Sequence, residues 1–214
     1  MPDAGRELSP VRIAGRTLTN YNHICAFFHT REERNKIVMP FFKDGYDQGE
    51  KIFHIVETGR RDAHLEECKA AGMDTDRALA SGQMEVHTWQ ETYLKDGYFD
   101  GQRMLSMIET ALQSFHQTYP RSRLMGTMEW ALGTEPGIDG LVEYEARVNY
   151  VLPKFPDPVI CAYDLSKHSG RVIMDVLRTH PMIIINGVLQ ENPLFVPPDQ
   201  FLAELAARKE RKKH

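Results

Sequence analysis

The sequence predicts an α/β fold: three layers, with a mostly parallel open sheet flanked by helices on both sides and a β-hairpin near the C-terminus. Three observations carry this. Apolar runs of strand length alternate with segments of helical periodicity, which is the signature of a wound parallel sheet. The run at 23–28, HICAFF, is almost continuously apolar, as a strand buried on both faces must be. Asn186-Gly187 separates two short extended runs, a strong hairpin signal.

Residues 1 to about 20 carry Pro2, Gly5, Pro10 and Gly15 and read as a loose arm with at most one short edge strand. After the first strand at 23–28, a helix is expected from Arg31 to Tyr46. Thr30 would be its N-cap, Glu33 its capping-box partner, and Ile37, Val38, Phe41 and Phe42 its buried stripe. Pro40 inside that pattern predicts a kink or break. A strand at Lys51–Glu57 and a helix over 60–71 ending at Gly72 come next, then a short helix or turn over 74–80. A strand at 84–89 precedes a loop over 90–98. Asp100 caps a helix over 101–118, with Met104, Leu105, Ile108, Leu112 and Phe115 at helical spacing. A strand over 122–129 leads through Gly133 and Pro136 to a helix over 138–152. A strand at 159–163, a helix at 168–178 and the hairpin complete the sheet. Pro197-Pro198 introduces a last helix that runs into the basic end RKERKKH.

The chain has 214 residues, 42% hydrophobic and 26% charged, enough to bury one ordinary core. A net charge of −4 gives no case for direct nucleic-acid binding, and no apolar run is long enough to cross a bilayer. The first sixteen residues lack the apolar core of a signal peptide. The three cysteines are far apart and no CxxC occurs, so a disulfide framework is not expected and a reducing cytoplasm is the default.

The strand–loop–helix unit at 23–42 has the form of a nucleotide-binding corner. Its loop, His29-Thr30-Arg31-Glu32-Glu33-Arg34-Asn35, contains no glycine, and the nearest lysine is Lys36. Phosphate-binding loops work through glycine amides and a lysine, and neither G-x-x-x-x-G-K-[ST] nor G-x-G-x-x-G is present. The corner has lost its phosphate grip, which argues against an enzyme.

Several segments, in order, resemble one family: HICAFF at 23–28, Pro40-Phe41-Phe42, Gly45 with Gly49-Glu50, and Tyr93-Leu94-Lys95-Asp96-Gly97 with Phe99-Asp100 and Arg103. Gly126 with Glu129-Trp130, Tyr144-Glu145 with Asn149, Ile160 to Asp164, and Asn192 to Pro198 follow. Over residues 20–200 the chain resembles the MEDS domain, the methanogen/methylotroph DcmR-type sensory domain. The resemblance implies a RecA/KaiC-like domain lacking the phosphate loop, binding a small molecule, hydrocarbon derivatives among the candidates. It implies relay to a partner: a histidine kinase, a transcription factor or a sigma-factor regulator. It divides the chain into an arm (1–20), a sensory domain (21–200) and a C-terminal helix with a basic tail (201–214). Domains of this fold often self-assemble, so a homo-oligomer stays open.

Open α/β sheets bind ligands beyond the carboxyl ends of their strands. Those ends carry His29, Thr30, Arg31, Glu57, Trp89, Glu129, Trp130, Tyr163 and Asp164, aromatics with a few polar groups. Glu129 stands near where a RecA-like enzyme keeps its acidic residue, so it is either a ligand contact or a carboxylate held by an arginine. Trp130 is either a pocket wall or a core cap. His23 and Cys25 share one strand face. With Cys161 on the neighbouring strand, and His29 or His54, they allow a thiolate–imidazole metal or haem site; a buried thiol and a hydrogen-bonded core histidine is the competing reading. No cofactor is expected. His54, His64, His87, His116, His168 and His180 have surface or sheet-edge explanations, and Glu32-Glu33 and Glu66-Glu67 read as solvated helix faces. A residual ATPase is the alternative of a different class.

Overall fold

A computed structural model describes residues 8–132 and 137–211. The start of the arm with Pro2 and Gly5, the loop at Gly133 and Pro136, and the tail residues Lys212, Lys213 and His214 lie outside the described residues.

A two-stranded ribbon, β1 (Arg12–Ile13) and β2 (Arg16–Thr17), stands apart from the main sheet. The chain then runs β3 (His23–Phe28), α1 (Arg31–Asp47), β4 (Lys51–Val56), α2 (Arg61–Ala70), α3 (Thr75–Ala80), β5 (Met84–Thr88), α4 (Gly101–Phe115) and β6 (Ser122–Thr127). After these come α5 (Gly137–Val148), β7 (Val159–Asp164), α6 (Gly170–Thr179), β8 (Met182–Ile185), β9 (Val188–Glu191) and α7 (Pro198–Arg211). The main sheet has the order β5-β4-β6-β7-β3-β8-β9, parallel throughout except for β9, which pairs antiparallel with β8 through a turn at Asn186-Gly187. Both turn residues have positive φ (49° and 73°), as the tight hairpin turn demands.

Strand alternation divides the core in two. Ile24, Ala26, Ile52, Met125 and Ile160 face α1, α2 and α3. Cys25, Phe27, Phe53, Leu124, Cys161 and Tyr163 face α4, α5 and α6. All six residues of β3 are buried, as a strand covered on both faces requires. α7 docks on the outside through Phe201 and Leu205, against Val142 and Ala146 of α5.

α1 is a single helix of 17 residues with Pro40 inside it. The expected break does not occur. Pro40 and Lys36, whose carbonyl Pro40 deprives of its partner, are both exposed, so solvent is free to satisfy that carbonyl. The far end of α1 is tied to the sheet by ions. Arg123, fully buried on β6, donates to Glu50 (Nε–Oε2 2.5 Å), to Asp44 (Nη2–Oδ2 2.7 Å) and to the Phe41 carbonyl. Arg121 donates to the other oxygen of Glu50 (Nε–Oε1 2.8 Å). Gly45 makes room for this, because a Cβ there would stand 2.5 Å from Arg123 Cδ.

Candidate functional site

The N-terminus of α1 opens onto a cavity of about 400 Å³ at the carboxyl ends of β3, β4, β6 and β7. The local sequence builds that corner. Thr30, in extended conformation, caps the helix by accepting the Glu33 N–H (3.1 Å), and Glu33 Oε2 in turn accepts the His29 N–H (2.8 Å). This reciprocal cap occupies the place where a phosphate loop would present its glycine amides.

The wall is ionic rather than aromatic. Arg31, Arg34, Arg60 and Lys167 face Glu32, Glu57, Glu67, Glu129 and Asp164, with Phe28 among the few rings; Tyr163 borders the cavity, but its Oη bonds Glu145. Glu67 is the hub. It pairs with Arg34 (3.3 Å), Arg60 (3.7 Å) and Arg31 (4.0 Å), and its Oε2 lies 3.6 Å from His64 Nδ1. Burial pushes the Glu67 carboxyl up, but His64, Asn35 and the Arg34 charge outweigh it and hold the group at about 2. Glu67 is therefore not the solvated helix residue that its position beside Glu66 suggests. Glu129, on a 3-10 turn directly after β6, accepts the Asp164 N–H (2.8 Å) and pins the end of β7.

Six of the expected site residues come together here: His29, Thr30, Arg31, Glu57, Glu129 and Tyr163. Four do not. Trp89 is not among the lining residues and donates its indole N–H to Thr127 (3.0 Å), the last residue of β6. Trp130 is a core residue, stacked on Tyr93 at 4.9 Å and packed against Phe99 at 4.2 Å. Cys25 is buried and donates to the Met182 carbonyl (3.6 Å). His23 lies at the opposite end of β3.

There His23 belongs to a buried polar cluster between the sheet and α5. Its Nε2 is 3.2 Å from Glu145 Oε2 and 3.6 Å from Cys161 Sγ, and its ring packs against that of His180, tilted by 39° with centroids 4.0 Å apart. Cys161 Sγ is 3.5 Å and His180 Nε2 3.4 Å from the same Glu145 oxygen, while Tyr163 Oη donates to the other (2.6 Å). Burial opposes ionisation of Glu145, and the rings of His180 and His23 prevail, holding it well below the usual carboxylate range. Burial and the Glu145 charge push the Cys161 thiol up. A second cluster, His54, His64 and Cys68, lies on the opposite face of the sheet, beside the cavity.

The surface or sheet-edge explanations thus fail for His54, His64, His168 and His180, all buried. For His64 and Cys68 a signal was present: four apart on one helix, they share a face. For His180 there was none, since only the sheet order brings it to His23.

The model of the MEDS family, the methanogen/methylotroph DcmR sensory domain, matches residues 22–181. The chain belongs to this family. Among curated proteins the MEDS chain is 27% identical over 183 residues to the transcriptional repressor DcmR of Methylorubrum extorquens, a match taking in 84% of this chain and 65% of the repressor. The MEDS fold is also similar to the crystal structure of a KaiC-like protein from Pyrococcus horikoshii, with a TM-score of 0.57 at 13% identity over 83% of this chain and 80% of that one. The fold is therefore RecA/KaiC-like, and the role is sensory or regulatory. No helix among the described residues is long and apolar enough to cross a membrane.

Proposed function

We propose that this MEDS domain is a non-catalytic cytoplasmic sensor that binds a small molecule in the cavity at the mouth of α1 and relays occupancy to a regulatory protein partner. The observation that carries the reading is the corner itself. The helix start that serves phosphate in nucleotide-binding relatives of the fold is closed here by Thr30 and Glu33, and the cavity beyond it is walled by paired charges. Such a wall suits a small hydrocarbon derivative that carries a polar or charged group; an unsubstituted hydrocarbon would bury ions without replacing their solvent. Binding would reorganise the Arg31–Arg34–Arg60–Glu67 network, which links α1 to α2. A ligand shifts such an equilibrium only by its differential affinity for the two arrangements. The sensory unit is the stretch 21–200, with 1–20 as an arm and 201–214 as a C-terminal helix and basic tail, and the partner is a histidine kinase, transcription factor or sigma-factor regulator.

Calorimetry with short-chain alcohols, amines and carboxylates, and separately with Mg-ATP, tests this. Binding of one of the small compounds, weakened about tenfold or more in Arg34→Ala and Glu67→Gln, is expected. Turnover of Mg-ATP that is lost in Glu129→Gln would replace the sensor with a residual ATPase. No binding of any small compound at millimolar concentration would overturn the ligand assignment.

A further inference from the structure

We propose that His23, Glu145, Cys161 and His180 form a closed, tetrahedral site for a divalent transition metal of the zinc class, separate from the sensory cavity. The ligand atoms come from four places in the chain: the first residue of β3, the middle of α5, β7, and the junction between α6 and β8. All four side chains are buried, and their ligand atoms lie within 4.8 Å of one another.

Spacing is the first argument. Metal–nitrogen, metal–oxygen and metal–sulfur bonds of about 2.0–2.3 Å put the corners of a tetrahedron roughly 3.3–3.8 Å apart. Four of the six separations are 3.2 Å (His23–Glu145), 3.4 Å (His180–Glu145), 3.5 Å (Cys161–Glu145) and 3.6 Å (His23–Cys161), and the two between His180 and His23 or Cys161 lie within 4.8 Å.

Hydrogen bonding is the second and independent argument. Asn149 spends its amide N–H groups on the carbonyls of Glu145, Ala146 and Thr179, so its Oδ1 faces His23 Nδ1 (3.1 Å) as an acceptor. His23 Nδ1 therefore carries a proton. His180 Nδ1 faces the Val176 carbonyl (2.9 Å), which can only accept, and the Thr179 hydroxyl (3.0 Å), which gives its proton to that same carbonyl, so Nδ1 carries the proton here too. In both neutral rings the remaining lone pair sits on Nε2, and both Nε2 atoms point at a carboxylate oxygen, which also only accepts. His180 Nε2 makes no hydrogen bond and is fully buried. The Cys161 thiol can answer His23 Nε2 at 3.6 Å but leaves His180 Nε2 unanswered, and two imidazolium rings with centroids 4.0 Å apart would repel. One metal ion satisfies both.

The outer contacts fit this reading. Backbone and amide acceptors fix each ring by its other nitrogen, as is usual for metal-bound imidazole, and Tyr163 Oη holds the Glu145 oxygen that faces away from the site. Binding converts the Cys161 thiol to a metal-bound thiolate and releases its proton to solvent. One dication with one thiolate and one carboxylate leaves the buried site uncharged, which removes the main cost of burying it. Four protein ligands leave no open position, so the ion fastens β3, β7, α5 and the start of β8 together and does no chemistry.

The test uses the full chain purified without a histidine tag. Elemental analysis should find about one transition-metal ion per chain, and chelated protein reloaded with Co²⁺ should show the absorption of a tetrahedral site with a thiolate ligand. Cys161→Ser should lose the thiolate-to-metal band and His180→Ala should weaken metal uptake by tenfold or more, while Cys68→Ser leaves both unchanged. If the Cys161 or His180 variant fails to fold, the stoichiometry and the Co²⁺ spectrum of the unmutated chain beside Cys68→Ser decide. A folded chain that holds no metal and takes up neither Zn²⁺ nor Co²⁺ at micromolar concentration would overturn the proposal. A thiolate band lost in Cys68→Ser would do the same, because it would put the metal on the other face.

Discussion

Two histidine–cysteine clusters face each other across the sheet, one on each side, and they manage burial in different ways. On the α1–α2 side, His54 Nδ1 and His64 Nε2 stand 2.6 Å apart and share a proton, with Cys68 Sγ 3.7 Å from His64 Nε2. That 2.6 Å gap is too short for two ligands of one metal, whose nitrogens must stand roughly 3.3 Å apart. Burial and the neighbouring ring push His54 well below the ordinary imidazole range, and burial and the Glu67 charge push Cys68 up to about 12. This cluster keeps one hydrogen bond between its rings, while the outer nitrogens, His54 Nε2 and His64 Nδ1, are buried without one. On the α5–α6 side a carboxylate is surrounded by two imidazoles and a thiol at tetrahedral spacing, with one imidazole nitrogen unanswered. The difference teaches that composition does not identify a metal site. Nearly the same residue types read as core on one face and as a ligand set on the other, and the decision rests on how far apart the ligand atoms stand.

The largest expected effect breaks the second cluster. Glu145→Ala leaves Tyr163 Oη and two buried rings facing a hole, and it should cost about 3–5 kcal/mol in denaturant unfolding. A cost below about 1 kcal/mol would erase the contrast between the faces. Asn149→Leu comes next. It strips the acceptor from His23 Nδ1 and the cap from three carbonyls, for about 2–3 kcal/mol by the same measurement. His54→Leu should cost less, about 1–2 kcal/mol, because one shared hydrogen bond is all that it removes. The smallest effect concerns acid. Glu67 sits below its ordinary value in the folded chain, so the stability it contributes is complete above pH 4.5 and is lost as pH falls toward about 2. Melting curves across that window should fall less steeply for Glu67→Gln than for the unmutated chain.

Much of the fold was legible in the residues. HICAFF, the capped start at Thr30 and the Asn186-Gly187 turn each specify local geometry through short-range chemistry, and each forms. Six cavity residues were legible because they follow strands directly, where the fold itself delivers them. The buried cluster was not. Strand alternation pairs His23 with Cys25 and sets Cys161 on the neighbouring strand, but Cys25 bonds a backbone carbonyl and only Cys161 meets His23. The other two members, Glu145 and His180, stand far away along the chain, and nothing local marks a histidine before a proline as a core residue. The ionic lining was missed for a related reason. Arg34, Arg60 and Glu67 sit on helices, where charge normally means solvent, and only the packing of α1 beside α2 turns them inward.

α1 is gripped unequally at its two ends. Arg123, Arg121 and Glu50 lock the C-terminal end in a buried knot, with the half-exposed Asp44 at its rim, and breaking a buried pair there is costly. At the N-terminal end the tethers are ion pairs near the surface, which are individually weak. A helix of this length is about 25 Å long. Mechanically it is a lever whose fulcrum is Arg123 and whose free tip is Arg31, at the cavity mouth. For a helix held in this way, a tilt of about 5° about the gripped end carries the tip roughly 2 Å.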